Sequence, residues 1–559
     1  MKKIIIKLNN KFYTKNAIKS AINAFSDICD ANIISEDFIV ELIPKKAKIK
    51  NLKNEFSNYV FGLIKNENTE FEYILNENNS IDNLSYKIKN KHITNFVRVK
   101  QIKDKFLLIN EFGKWIILNK KEYEIFKTNN FEKNKKLYEK LIDKCIIINE
   151  KNIEKSIENA KQNKSYLFSG TSLHIIVLTK RCTINCLYCQ TSAQSSKKDK
   201  NFDLDIDNAK KFVDIIFQSP SKQLAIEFQG GEPLLNFETL KFIVEYTNEK
   251  NISKNKIIQF TVVSNLTNVS DDILNYLSNN KIKLCTSLDG PKEIHNACRD
   301  KYSTVIKNIK KAKKIFKKNI KNSEFKKYHI NALLTITRKS LNKHKEIIDE
   351  YIKNGFTNIS LRPVNNFGNT NENKDLICSP EEFIDFWKKA VDYIIELNKN
   401  GKYFFEGKSR ILLEKIFNNK TTYTDLRSPC GAIIGQLLYN YDGKIFTCDE
   451  GRMIDEDVFM VGNSNNTYEQ IINSNCACNM ISASINDTLY CDKCIYKPFC
   501  GICPVINYAE NGSLVNNIPS SFWCKIHMAQ FDYIFEKLEN KENAKIFKKW
   551  IGNKKIPSK

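Results

Sequence analysis

From about residue 172 to residue 364, β-rich runs alternate with amphipathic helical segments, and this alternation constrains the fold more than any other feature. The runs are HIIVLT, QLAIEFQ, IIQFTVVS, IKLCTSLD, HINALLTI and NISLRPV. Between them lie DNAKKFVDIIFQ, LKFIVEYTNEK and HKEIIDEYIKNG. The pattern predicts an α/β core of parallel strands joined by crossover helices, open or barrel-like. In such sheets functional residues gather at the C-terminal ends of the strands. The chemical motifs of this chain fall there.

The loop after HIIVLT reads RCTINCLYCQ and carries Cys182, Cys186 and Cys189. A structural zinc site takes four ligands and a disulfide two. Three thiolates suit an iron–sulfur centre that keeps one position open, although alone they also read as an incomplete zinc site or idle thiols. The next run ends in IEFQGGEPLLN. There Gly230 and Gly231 let the backbone approach a ligand, and Glu232 offers a carboxylate to an amino group. By itself GGE is also an ordinary turn.

Nine of the 17 cysteines lie between residues 430 and 524. They include Cys430, Cys448, the run CDKCIYKPFCGIC (Cys491, Cys494, Cys500, Cys503) and Cys524, a spacing that by itself also fits a zinc ribbon. The start, MKKIIIKLNN, is too short for a signal-peptide core, and no stretch approaches the roughly 20 apolar residues of a membrane span. A cytoplasmic protein without a membrane partner is expected, and in that compartment abundant cysteine points to metal or redox chemistry.

Lys and Arg number 88 against 64 Asp and Glu, a formal net charge of +24. The excess is mostly Lys dispersed among Asn and Ile, with no basic stripe interleaved with aromatics, so no nucleic-acid partner is expected. The last residues, 541–559, read as a basic, solvated tail. Residues 1–85 show a small α+β pattern: KIIIKL, KNAIKSAINAFSDIC, DFIVELIP and LKNEFSNYVFGLIKNENTEFEYIL. Polar LNENNSIDNL and KIKNK mark a boundary. Three short strands followed by helices then suggest a winged-helix-like module over 92–150. After about 425 the text is loop-like until the helix HMAQFDYIFEKLEN.

CxxxCxxC followed one βα unit later by GGEP resembles the radical S-adenosylmethionine (SAM) superfamily. The resemblance implies a partial (β/α)6 TIM-like barrel over 170–400. It also implies a 4Fe-4S cluster on Cys182, Cys186 and Cys189 whose open iron chelates SAM, giving on reduction a 5′-deoxyadenosyl radical that abstracts hydrogen. Tyr188 matches the family's usual aromatic. VVSNLT places Ser264 and Asn265, with Gly230, Gly231 and Glu232, at the cofactor. In CTSLDGPKEIHNACR, Ser287, Asp289 and Arg299 resemble the SLDG…H…R element of peptide- and sulfatase-maturing members, where the Ser and Arg help hold SAM. ISLRPV would put Leu361 near adenine. Cys285 and Cys298 read as packing thiols.

Residues 425–540 resemble the SPASM domain, which implies two auxiliary clusters. One would rest on Cys491, Cys494, Cys500 and Cys524, the other on Cys430, Cys448 and Cys503. The position six residues after Cys430, a ligand in some members, is Gln436 here; Cys476 and Cys478 are more readily idle thiols than its replacement. Asp449 matches the proton-accepting base of sulfatase-maturing relatives. From LTKRCTINCLYCQTS, SLDGPKEIHN and EIIDEYIKNGFTNISLRPV, the chain most resembles the B-type radical SAM maturase of the His-Xaa-Ser system, with 1–85 resembling its D-type protein. This implies modification of a precursor peptide with bond formation within it. Implied partners are a reductant such as ferredoxin or flavodoxin, and a second radical SAM maturase in systems that use one. The module at 92–150 resembles leader-peptide recognition domains, which add the peptide as a strand. A sulfatase-type formylglycine maturase and a non-catalytic peptide-binding scaffold are the alternatives.

Overall fold

The computed structural model describes residues 3–8, 15–35, 38–45, most of 52–60, and 92–552 apart from 326–327, 329, 419–423, 425, 455–456 and 516–517. It divides into two units, 1–87 and 88–559. In the first, strands Ile4–Lys7 and Cys29–Ser35 flank Ile39–Pro44 in an antiparallel sheet. Alternation turns Val40 and Leu42 inward, onto Ala17, Ile18 and Ala21 of helix Lys15–Ala24 and onto Leu52, Phe56 and Val60. The rest of the expected second amphipathic stretch and the polar boundary up to residue 91 lie outside the described residues.

The second unit is built on one nine-stranded sheet. Its strands are β1 (Leu173–Thr179), β2 (Gln223–Gly230), β3 (Ile257–Ser264), β4 (Lys283–Ser287), β5 (Asn331–Ile336), β6 (Leu361–Pro363), β7 (Gln436–Tyr439), β8 (Lys444–Phe446) and β9 (Met460–Asn463). The order is β6-β5-β4-β3-β2-β1-β7-β8-β9. Strands β1 to β6 are parallel, as the alternating sequence predicts. On β2, Leu224, Ile226 and Phe228 are buried against helices, while Ala225, Glu227 and Gln229 face the other, concave side. Helix Ile206–Gln218 is started by Asp205, whose side chain accepts from the Asn208 amide, and buries Phe212, Val213 and Ile216. Each such side chain contributes about 1.5–3 kcal/mol on burial.

The barrel is partial because the edge of β1 that a closed barrel would offer to β6 is taken by β7. Leu173 to Ile176 pair in parallel with Gln436 to Tyr439, and β8 and β9 continue antiparallel. The region after 425, read as loop-like, therefore supplies three strands to the same sheet. The basic tail is also corrected. Lys541–Trp550 is a helix whose Ile546, Phe547 and Trp550 are buried, as is Ile551 beyond it. Their apolar area outweighs the lysines, which occupy the other face. Residues 553–559 lie outside the described residues.

Between 92 and 150, strands Val97–Ile102, Lys105–Asn110 and Trp115–Asn119 form an antiparallel meander, followed by helices Lys120–Lys127 and Lys135–Asp143. Leu108 faces those helices, whereas Leu107 and Ile109 join the main core. Arg98 Nε donates to the Asp492 carbonyl at 2.7 Å and Trp115 Nε1 to the Ile416 carbonyl at 3.2 Å, fastening the meander to the C-terminal region. Among the described residues, no helix is long and apolar enough to cross a membrane.

Candidate active site

The loop that follows β1 is anchored before its first cysteine. Arg181 Nε donates to Asp203 Oδ1 at 2.8 Å. Gly231 N and Glu232 N donate to the carbonyls of Thr179 and Arg181, each at 2.7 Å. A Cβ at Gly230 would stand 2.3 Å from the Thr179 oxygen, and one at Gly231 2.3 Å from that of Arg181. These glycines let the chain's own backbone come this close, and they set the cysteine loop on the end of β2.

Cys182, Cys186 and Cys189 come together on that loop. Asn265 Nδ2 donates to Cys182 Sγ at 3.4 Å, Arg299 Nη1 lies 3.8 Å from Cys186 Sγ, and Cys189 N donates to the Cys186 carbonyl at 3.0 Å. Burial pushes the Cys182 thiol up to about 11 and that of Cys186 to about 12, with the neighbouring thiols acting in the same direction. Metal binding would exchange these protons for a cation. A brace unseen in the sequence closes the loop from behind. Asn369 N donates to the Cys189 carbonyl at 2.9 Å, and a Cβ at Gly368, with φ +57°, would lie 2.4 Å from that oxygen. A lone Gly-Asn pair gives no warning of this role.

Glu232 is 1% exposed and accepts from Ser264 Oγ and Asn265 N at 2.8 Å and from Leu234 N at 3.1 Å. Burial outweighs these bonds and pushes its carboxyl up to about 7. A buried carboxylate of this kind is stabilised by a cationic group placed against it. Tyr188 OH donates to Asp289, which also receives Arg299 Nε at 3.1 Å and the Thr335 amide at 3.2 Å. The Arg299 guanidinium carbon lies 5.2 Å from the centre of the Tyr188 ring. His295 Nδ1 accepts from Asp289 N at 3.4 Å, so its Nε2–H faces the Asp300 carbonyl at 3.1 Å. Ser287 ends β4, buried, and Leu361 begins β6 in the core, its amide donating to Glu406 at 3.1 Å. Cys298 is buried beside Cys186 and Tyr188.

Residues 176–348 match the model of the Radical SAM superfamily. They form a radical SAM domain. A cysteine-type anaerobic sulfatase-maturating enzyme of Clostridium perfringens is 25% identical over 386 residues, spanning 66% of this chain and 98% of its own. The radical SAM cyclopropyl synthase TigE of Paramaledivibacter caminithermalis is 26% identical over 384 residues, 66% of this chain and 73% of its own. The solved structure of native anSMEcpe with bound AdoMet superposes with a TM-score of 0.56 at 22% identity, over 67% of this chain and 99% of that one. The fold is shared.

Beyond the radical SAM domain the structure assembles two further thiol groups. Burial pushes Cys500 up to about 12, and the neighbouring thiols of Cys494, Cys491 and Cys524 push it the same way. These four line a cavity of about 410 Å³ that Cys503 also reaches. Cys448 is raised well above the usual thiol range, by burial first, with Cys503 and Cys430 contributing. The SPASM resemblance groups these cysteines in the same two sets. Gln436 is buried at the start of β7. Cys476 Sγ faces the Val458 carbonyl at 3.3 Å and Cys478 is exposed.

Among the described residues, no three His, Cys, Asp or Glu side chains converge tightly enough to hold one metal ion. All-thiol donor sets fit iron–sulfur chemistry, and the first set, with three thiols, leaves one corner for a ligand.

Asp449 follows Cys448 and is not isolated. Arg452 Nε donates to its Oδ1 at 3.1 Å, and Arg452 Nη2 donates to Gln229 Oε1 at 3.1 Å. Gln229 Nε2 in turn donates to Glu227 Oε1 at 2.8 Å. A continuous polar chain thus runs from the Cys448 loop to the concave face of β2. Cys285 stands on the same face, its thiol pushed up to about 12 by burial and then by the Glu227 charge. Neither Arg452 nor its link to Gln229 carries a sequence signal.

Proposed function

We propose that this chain is a radical SAM enzyme that modifies a ribosomally made precursor peptide and closes a bond within it. The observation that carries the reading is the pair of thiol groups assembled beside the radical SAM domain, in addition to the three-thiol loop. When bound, SAM and a four-iron cluster supply a 5′-deoxyadenosyl radical able to take a hydrogen atom from an unactivated carbon. The chain's residues bind and orient. Cys182, Cys186 and Cys189 hold the cluster, and Glu232, backed by Ser264 and Asn265, receives the amino group of SAM. Arg299 presents its remaining N–H groups to the carboxylate, and Ser287 and Leu361 flank the nucleoside.

Cys491, Cys494, Cys500 and Cys524 would hold one auxiliary cluster, and Cys430, Cys448 and Cys503 the other, with an open iron or a further ligand at its fourth corner. Asp449, fixed by Arg452, accepts the proton that a substrate must lose as the new bond forms. A ferredoxin- or flavodoxin-type reductant supplies electrons. The named activity of one relative, maturation of a sulfatase, supports a polypeptide as the substrate class. Strand Val97–Ile102, at the edge of the meander, would receive a leader peptide. The His-Xaa-Ser resemblance of residues 1–85 and of the core points to a repeat peptide of that kind, acted on in the cytoplasm and in company with a second maturase where the system has one.

One observation favours a second reading. The sulfatase maturase is matched over 98% of its length, so formylglycine formation from Ser or Cys is the alternative. The test is anaerobic. Reconstituted protein, reductant and SAM are assayed for 5′-deoxyadenosine with a His/Ser-repeat peptide, with a sulfatase peptide, and with neither. Stimulation and mass loss on the first supports the proposal, and on the second the alternative. Cys182→Ala should abolish 5′-deoxyadenosine while the auxiliary iron stays bound. Cleavage at the wild-type rate in that variant would sink both readings.

A further inference from the structure

Helix Gly407–Asn418 carries a lysine in its buried face. Lys415 is 7% exposed, and its ammonium donates to the Leu426 carbonyl. No Asp or Glu among the described residues forms an ion pair with it. Burial lowers its ammonium to about 7; the charges that act on it most strongly are the Cys500 thiol, which favours the charged form, and Arg427, Lys408 and Lys164, which oppose it. An ammonium withdrawn from water among like charges is costly unless an anion answers it.

The backbone ties this lysine to the four-thiol group. A Cβ at Gly501, the residue after Cys500, would stand 2.2 Å from the Arg427 carbonyl and 2.7 Å from the Leu426 carbonyl carbon. The segment that receives Lys415 is thus pressed against the Cys500 turn. On the same side, His527 is 8% exposed and its Nδ1 lies 3.9 Å from Cys500 Sγ. Four thiolates around an iron–sulfur cluster carry net negative charge, and the potential of such a cluster follows its net charge, its hydrogen bonds and its exposure.

We propose that Lys415 is the buried counter-ion of the cluster on Cys491, Cys494, Cys500 and Cys524, and that it holds the reduction potential of that cluster up. The inference rests on the cluster assignment made above and adds a residue outside every cysteine motif. Adding one electron to a buried anionic centre is easier beside a fixed cation, so the centre stays reducible by the donor that serves the radical SAM cluster.

The test is a redox titration of the holoprotein followed by electron paramagnetic resonance. The four-thiol signal is identified as the one that Cys524→Ala removes. In Lys415→Met that signal should titrate at a more negative potential, while the other clusters keep theirs, and Lys415→Arg should return it toward the wild-type value. If the Met variant does not fold, Lys415→Gln, which retains a donor for the Leu426 carbonyl, carries the same expectation. An unmoved midpoint, with iron and sulfide contents intact, overturns the inference and leaves the cluster assignment standing. Protein that binds no iron once Cys182, Cys186 and Cys189 are replaced by Ala overturns both.

Discussion

Arg299 grips Asp289 through Nε, 3.1 Å from Oδ2, and turns Nη1 toward the Cys186 sulfur 3.8 Å away. One guanidinium thereby links the end of β4 to the three-thiol loop. Both partners are withdrawn from water, their side chains 14% and 3% exposed. Removing one partner leaves a buried charge unanswered, so Asp289→Ala should cost about 3–5 kcal/mol in urea unfolding. Arg299→Lys keeps the charge and loses the planar fork. Losing one charge-assisted bond of about 1.5–3 kcal/mol should weaken SAM binding roughly ten- to a hundredfold. Equilibrium dialysis would read this, and unchanged affinity would remove Arg299 from the cofactor site.

Gly231→Ala tests what the motif glycines are for. Its methyl would meet the Arg181 carbonyl oxygen at 2.3 Å, and the two segments in contact are held together by the Gly231 N and Glu232 N hydrogen bonds. The strain should cost about 1–3 kcal/mol and shift the cysteine loop. Cluster occupancy at the first site should fall while the auxiliary iron is kept, as total iron and sulfide would show. Full occupancy at wild-type stability would refute the close-approach role.

Glu232 makes a prediction about pH. Burial raises its carboxyl from 4.5 to about 7 in the cofactor-free fold. Between those values the folded chain holds a proton that the unfolded chain has released, so stability falls as pH rises through that window. The loss amounts to about 3 kcal/mol above pH 7. Glu232→Gln removes the titration, so wild type minus Gln variant should decline from about pH 4.5 to pH 7. Urea midpoints measured in parallel would show it, and a flat difference would mean the carboxylate is already compensated.

The six core strands were legible because each is a continuous apolar run bounded by polar residues, and the thiol groups because the cysteine spacing resembles that of a known family. The close approach of Gly230 and Gly231 to the Thr179 and Arg181 carbonyls is not legible, since a sequence does not say which backbone comes close. Strands β7 and β8 carried a signal in Asp442-Gly443, the residues of a tight hairpin turn, with Gly443 at φ +85°. Arg452 and Lys415 could not be found, as their roles come from partners that are close only in space.

The terminal helix misled for a different reason. KIFKKW reads as basic by composition, yet Ile546, Phe547 and Trp550 fall on one helical stripe. Trp550→Ala should cost about 3–5 kcal/mol. Thermal unfolding would reveal it, and a shift too small to measure would return this segment to solvent.

The pairing of β1 with β7 has a consequence for synthesis. The first strand of the parallel sheet leaves the ribosome long before Gln436–Tyr439, the segment that covers its outer edge. At about 5–20 residues per second, a nascent chain spends many seconds with that hydrophobic edge unsealed and open to pairing with another copy. Chains that stop short of residue 439 keep the edge bare for good, and they should need a chaperone where the complete chain does not.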